Sequence, residues 1–155
     1  MTPAINLAKK ARIQHKVHEY THDADAPSYG LEAAEKLGLP ETQVFKTLVV
    51  NLDNRQLAVA VLPVGSMLSM KQIAKALGGK KAAMAEAIEV QRSTGYVLGG
   101  VSPLGQKKRL PAVIDSSAEG LDTMYVSAGR RGLEIELAPA DLKKLTSAQF
   151  ADICQ

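Results

Sequence analysis

Apolar positions recur along this chain at two spacings, and the alternation between them lays out its elements. Gln43–Leu52 is rich in β-branched residues and is the clearest strand. Asp53-Asn54 turns it, and Gln56–Leu62 returns as a hairpin partner. Ala112–Asp115, Thr123–Ser127 and Leu133–Leu137 read as further strands, with Gly129-Arg130-Arg131-Gly132 turning the last two into a hairpin. Lys16–Thr21 is a weaker strand, followed by a loop over Thr21–Pro27. Helical spacing appears first at Ala4, Leu7, Ala8 and Ala11, behind a Thr2 cap and Pro3 at the first helical position. A second helix spans Ser28 to Leu37 and is stopped by Gly38 and Pro40. A third starts at the Ser69 cap with Met70, Ile73, Ala74 and Leu77 on one face, and Glu86–Arg92 forms a short fourth. A last helix opens at Pro139 and runs, with a break near Ser147, toward Ile153.

These elements do not alternate strictly as strand and helix, and no G-x-G-x-x-G follows a strand, so a doubly wound fold is disfavoured. The expected class is α+β: a curved, mostly antiparallel mixed sheet of six to eight strands surrounded by short helices. At 155 residues the chain has the length of one domain and can bury a real core. Aromatics make up only 4% and Trp is absent, so that core is aliphatic and an extended base-stacking platform is disfavoured. The net charge of +3 permits a nucleic-acid partner without demanding one. The start of the chain shows no signal peptide, no apolar run approaches bilayer length, and one cysteine allows no internal disulfide; a cytoplasmic protein without membrane contact is expected.

Chemistry concentrates in Ser93–Arg109. Gly95, Gly99, Gly100 and Gly105 fall within thirteen residues, Pro103 stiffens the turn, and Lys107, Lys108 and Arg109 follow at once. Clustered glycine signals positive φ or close backbone approach, and a rigid loop of amides beside basic residues suits an anionic or carbonyl-bearing ligand. A bulged turn with a solvated basic tail fits the same residues. Lys46, inside Val44–Val50, either guards a sheet edge or points its ammonium into a pocket. His15, His18 and His22 complete no zinc signature, no serine sits in a nucleophile elbow, and Cys154 near the terminus lacks an activator.

Phe45-Lys46-Thr47-Leu48, Ser93-Thr94-Gly95-Tyr96 and Gly99 through Arg109 together closely resemble the YbaK family, free-standing relatives of the editing domain inserted in bacterial prolyl-tRNA synthetases. Met1–Ile5, Glu32–Gly38 and Tyr125-Val126-Ser127 are similar too, so the resemblance treats residues 1–155 as a single editing domain. It implies hydrolysis of mischarged aminoacyl-tRNA, cysteine on proline-specific tRNA in this branch, with no metal or other cofactor. It implies a pocket between the lysine strand and the glycine loop, with Lys46 as the required lysine and Gly99, Gly100, Val101 and Ser102 offering backbone to the ester carbonyl. Tyr20, Tyr29, Thr47 and Ser127 fall where relatives line that pocket, position 29 being Tyr where Phe also occurs; Glu134 is not counted among the site residues. Lys107, Lys108, Arg109, Arg130 and Arg131 would engage tRNA phosphates, and prolyl-tRNA synthetase is the expected protein partner. The resemblance further suggests that the substrate's own thiol attacks its ester. A non-catalytic module that binds tRNA or a synthetase on the same fold is the alternative reading.

Overall fold

In a computed structural model, residues 1–26 and 29–155 are described, without the side chain of Tyr29. The expected start of the second helix at Ser28 and the Tyr29 pocket contact therefore lie outside the described structure. Eight strands and five α-helices are present among the described residues, which is the α+β class expected.

Helix α1 (Pro3–Ala11) begins where Thr2 Oγ1 accepts from the amide of Ile5 at 3.2 Å, and it buries Ala4, Ile5 and Ala8. Strand β1 (His15–Glu19) and helix α2 (Tyr29–Leu37) follow. Strands β2 (Phe45–Leu52) and β3 (Gln56–Pro63) form the expected hairpin through Asp53-Asn54-Arg55, with Asp53 and Asn54 both at φ 55° inside a turn closed by Arg55 N donating to Leu52 O at 3.0 Å. Helix α3 (Met70–Ala76) is capped by Ser69, whose Oγ accepts from Gln72 N at 3.1 Å. Then come β4 (Ala82–Met84), α4 (Ala87–Thr94), β5 (Ala112–Asp115), β6 (Met124–Arg130), β7 (Leu133–Leu137), α5 (Pro139–Thr146) and β8 (Gln149–Ala151).

The strands divide into two sheets. One is antiparallel, β1-β7-β6; the other is mixed, β4-β2-β3-β5-β8, with β5 parallel to both of its neighbours. An isolated parallel bridge between Val44 and Tyr125 joins them. Strand β3 is buried on both faces, which explains its unbroken apolar run. Val59 and Val61 pack with α1, α5, β6 and β7, while Ala58, Ala60 and Leu62 pack with Ile73 and Ala74 of α3.

The C-terminal segment corrects two expectations. The last helix breaks at Ser147 as expected but does not resume toward Ile153: Ser147 takes φ 56°, ends α5, and sends the chain into β8 beside β5. Nor is Cys154 at a fraying end. Ser69 N donates to Ile153 O at 2.8 Å, Gln155 N donates to Met67 O at 2.9 Å, and Leu68 bridges Cys154. Asp115 locks this strap by accepting from the buried amide of Ile153 at 3.1 Å and from Ser117 N at 3.2 Å. Burial raises the Asp115 pKa, but those hydrogen bonds outweigh it and hold the carboxyl below its ordinary range. An Asp115→Ala variant leaves the Ile153 amide unsatisfied and should lose about 1–3 kcal/mol of stability in denaturant melts. A midpoint equal to wild type would show that the strap is not held there.

Candidate active site

The outer edge of β2 carries the site. At its start Val44 bridges Tyr125, and from Val50 onward β2 pairs with β4. Between them, Phe45–Leu48 has no strand partner on that side among the described residues, and a cavity of about 280 Å³ opens there. Phe45, Lys46, Thr47 and Leu48 form one wall, and Ser127, Arg130, Arg131 and Glu134 of the β6–β7 hairpin form another. Tyr20 and Gly30 close one end, and Leu98, Gly99 and Val101 of the glycine loop close the other.

Lys46 does not guard a solvent edge. It is half-buried, its Nζ donates to Ser66 O at 2.6 Å, and burial lowers its pKa from the usual lysine range. Thr47 Oγ1 is buried and has no hydrogen-bond partner among the described residues, so a cavity-lining hydroxyl is left unsatisfied.

The glycine loop is held from several sides. Gly95 ends α4, and Tyr96 OH donates to Leu104 O at 2.6 Å. Lys107 N and Lys108 N return to Thr94 O and Ser93 O. Arg131 Nη2 donates to Leu98 O at 3.2 Å, clipping the loop to the hairpin. Gly99 sits at φ +88°, a conformation side chains disfavour. A Cβ on Gly100 would lie 2.9 Å from the Arg130 Cα, so only glycine lets loop and hairpin meet at this distance.

The sequence-derived residues separate into two groups. Tyr20, Lys46, Thr47, Gly99, Val101, Ser127, Arg130 and Arg131 surround one cavity. Gly100 and Ser102 serve the loop instead. The Gly100 amide donates to Val97 O at 3.0 Å, which removes it from any oxyanion role. Ser102 is fully buried, its Oγ accepting from Leu104 N and its carbonyl from Gln106 Nε2. Amides of Gly99 and Val101 donate to no acceptor among the described residues. Lys107, Lys108 and Arg109 are exposed away from this cavity; Lys108 and Arg109 border a second one beside Leu7 and Leu145. The basic residues therefore form two patches rather than one.

Histidines take no part in lining the cavity. His18 Nε2 lies 2.9 Å from Glu136 Oε1, and His22 Nδ1 lies 2.7 Å from Glu32 Oε1. No group of three or more His, Cys, Asp or Glu that could hold a metal occurs among the described residues. Burial, followed by Asp115, pushes the Cys154 thiol up, away from the reactive thiolate.

Five lining residues lay outside the sequence-derived set, namely Gly30, Phe45, Leu48, Leu98 and Glu134, and Glu134 is the titratable one among them. Glu134 is only 6% exposed, accepts no hydrogen bond and makes no ion pair among the described residues, and burial pushes its pKa up to about 8. The alternation of Leu133-Glu134-Ile135-Glu136-Leu137 marks it only as facing away from the core. The loop and Tyr20 that cover this face come from distant sequence.

One cavity thus brings together a half-buried lysine, loop amides and a basic rim, in a chain whose family the comparisons identify. Residues 25–145 match the aminoacyl-tRNA editing domain family, and the chain belongs to that family. It is 38% identical over 152 residues to EbsC of Enterococcus faecalis, named for Cys-tRNA(Pro)/Cys-tRNA(Cys) deacylation, covering 98% of this chain and 92% of that one. It is 32% identical over 97 residues to the proline–tRNA ligase of Trichlorobacter lovleyi, covering 63% of this chain and 17% of the ligase. A crystal structure described as a trans-editing enzyme for prolyl-tRNA synthetase superposes with TM-score 0.83 at 26% identity, covering 100% of this chain and 99% of that one.

The Glu134 environment makes a pH prediction. Its pKa is about 8 in the folded protein against an ordinary 4.5, so the folded state holds the extra proton between those values. Stability therefore falls as pH rises from about 4.5 to about 8 and is flat above. Glu134→Gln removes this penalty. Its melting temperature should match wild type near pH 4.5 and exceed it by several degrees at pH 8. A constant difference across that range would refute the raised pKa.

Proposed function

We propose that this chain deacylates cysteinyl-tRNA specific for proline, with the substrate's thiol as nucleophile. The observation that carries the reading is what the cavity holds: a lysine, two uncommitted loop amides, and hydroxyls that donate to no base, since its one carboxyl, Glu134, forms no hydrogen bond with Tyr20, Thr47 or Ser127 among the described residues. A pocket of this kind positions a substrate and stabilises charge. An aminoacyl ester is already activated and needs little more.

In the proposed step the ester carbonyl lies against the amides of Gly99 and Val101. Lys46 binds the phosphate of the terminal adenosine with the ammonium protons that Ser66 O leaves free. The cysteine sulfur forms a bond to the carbonyl carbon, and the bond from that carbon to the ribose oxygen breaks. The thiol proton ends on the departing ribose hydroxyl. The cyclic thiolactone that results is opened by water to free cysteine. Selectivity comes from the substrate, since an alanyl ester has no nucleophile and a seryl hydroxyl is a far weaker one at neutral pH. Arg130 and Arg131 at the cavity rim are the nearest of the basic residues to the acceptor end. Lys107, Lys108 and Arg109 contact phosphates farther along the tRNA. Prolyl-tRNA synthetase, whose own editing domain resembles this chain, is the partner proposed to present the tRNA.

Two measurements check this. Cysteinyl-tRNA should lose its aminoacyl bond readily, while S-methylcysteinyl and seryl esters on the same tRNA should survive. Efficient cleavage of the S-methyl ester would mean that an activated water attacks instead. Lys46→Ala should melt within a few degrees of wild type and lose roughly 10- to 100-fold in kcat/KM, the scale of one charged hydrogen bond. Full activity in the folded variant would remove Lys46 from the mechanism.

A further inference from the structure

Strand β7 presents two carboxyls on one face, and they live in opposite surroundings. Glu136 accepts from Thr123 Oγ1 at 2.6 Å and lies 2.9 Å from His18 Nε2. Burial raises its pKa, but these partners and Tyr125 outweigh that and hold it low. Glu134, two residues earlier, sits between His18 and Ser127 in the sheet register and pairs with neither. The His18 ring turns to Glu136 instead, and the Ser127 hydroxyl accepts from Gly129 N. The remaining ionisable groups around the cavity are Tyr20 just after β1, Lys46 on β2, and Arg130 and Arg131 on the hairpin. None forms an ion pair or hydrogen bond with Glu134 among the described residues, and Lys46 is engaged by Ser66 O.

A buried carboxyl without a partner costs free energy, so its presence in a ligand cavity points to a ligand that supplies the partner. That ligand group must be a cationic donor. Phosphate does not suit this wall, because the protonated carboxyl offers it no countercharge and the ionised one repels it, whereas the lysine and arginines elsewhere around the cavity do suit it. A ligand with an ammonium at one end and a phosphate at the other fits both. An aminoacylated 3′ end of tRNA is such a ligand. We infer that Glu134 is the recognition residue for the α-ammonium group of the aminoacyl substrate, fixing which way the substrate lies in the cavity. This rests on the deacylase reading. Glu134 stays protonated in the empty cavity and gives up its proton when the ammonium arrives, so binding near pH 7 releases close to one proton.

The test uses the full chain and two amide analogues that cannot be deacylated, followed by titration calorimetry. One is 3′-deoxy-3′-(cysteinylamino)adenosine; the other is its 3-mercaptopropionyl counterpart, which differs only in lacking the amino group. Wild type should bind the first roughly 10- to 100-fold more tightly. In buffers of different ionisation enthalpy, that binding should release close to one proton. Glu134→Gln should lose both the preference and the proton release while keeping its affinity for the mercaptopropionyl compound. Equal affinity of wild type for the two compounds overturns the inference, and so does a preference that survives in Glu134→Gln. Should the variant fail to fold, the wild-type comparison and its proton release still decide. If neither compound binds but cysteinyl-tRNA is still deacylated, the role of Glu134 is overturned and the deacylase reading stands. Loss of deacylation itself in wild type would overturn the reading first and this inference with it.

Discussion

Strand β2 changes partner twice along its outer edge, and the site depends on the gap between. A central strand normally finds its hydrogen bonds on both sides. Here Val44 reaches across to Tyr125 of the other sheet, and β4 takes over only at Val50. Over Phe45–Leu48 the two sheets part without either one ending. The inner edge stays fully paired to β3, so the strand is rigid where it is open. That rigidity lets Lys46 and Thr47 face a cavity without the loss of precision a loop would bring.

Closure of the gap combines a close backbone approach with one side-chain clip. The glycine loop lies against the β6–β7 hairpin through Gly100 and Arg130, and the Arg131 guanidinium fastens Leu98 from above. The hairpin can offer Arg130 there because β6 is bulged between Ser127 and Arg130, where its register to β7 shifts. A bulge bends the strand and re-aims the residues beyond the bend. Two irregularities, one in each wall, therefore meet and shape the same cavity.

Much of this was legible in the sequence because it is local. The Asp53-Asn54 turn, the Thr2 and Ser69 caps, and strands β5 and β7 are set by residues within a few positions of one another. Strands β4 and β8 were not legible: each is three residues long, too short for a period, and exists only because a longer strand lies alongside. A break near Ser147 was legible, but its left-handed backbone was not, since nothing about serine requires it. The Lys46 ambiguity could not be resolved by periodicity either. Edge lysine and pocket lysine share one pattern, and only the long-range contact with Ser66 separates them. Glu134 and Glu136 look identical as alternating polar positions; Thr123, His18 and Tyr125 satisfy one, and the cavity isolates the other.

The contact to Ser66 also explains why the far end of the chain matters to the site. Ser66 lies in the turn after β3, where its amide donates to Pro63 O at 3.0 Å, and the residues just beyond it are held by the C-terminal strap. Met67 O and Ser69 N bond to Gln155 and Ile153, and Ile153 is fixed in turn by Asp115 on β5. A half-buried lysine on a flexible four-carbon stem has many rotamers, and an ammonium that must meet a phosphate gains from losing them before the ligand arrives. A carbonyl anchored by the sheet and by the terminus supplies that restraint while leaving two ammonium protons for the ligand. Precision at Lys46 thus comes from β5 and the last residues of the chain, which touch no part of the cavity.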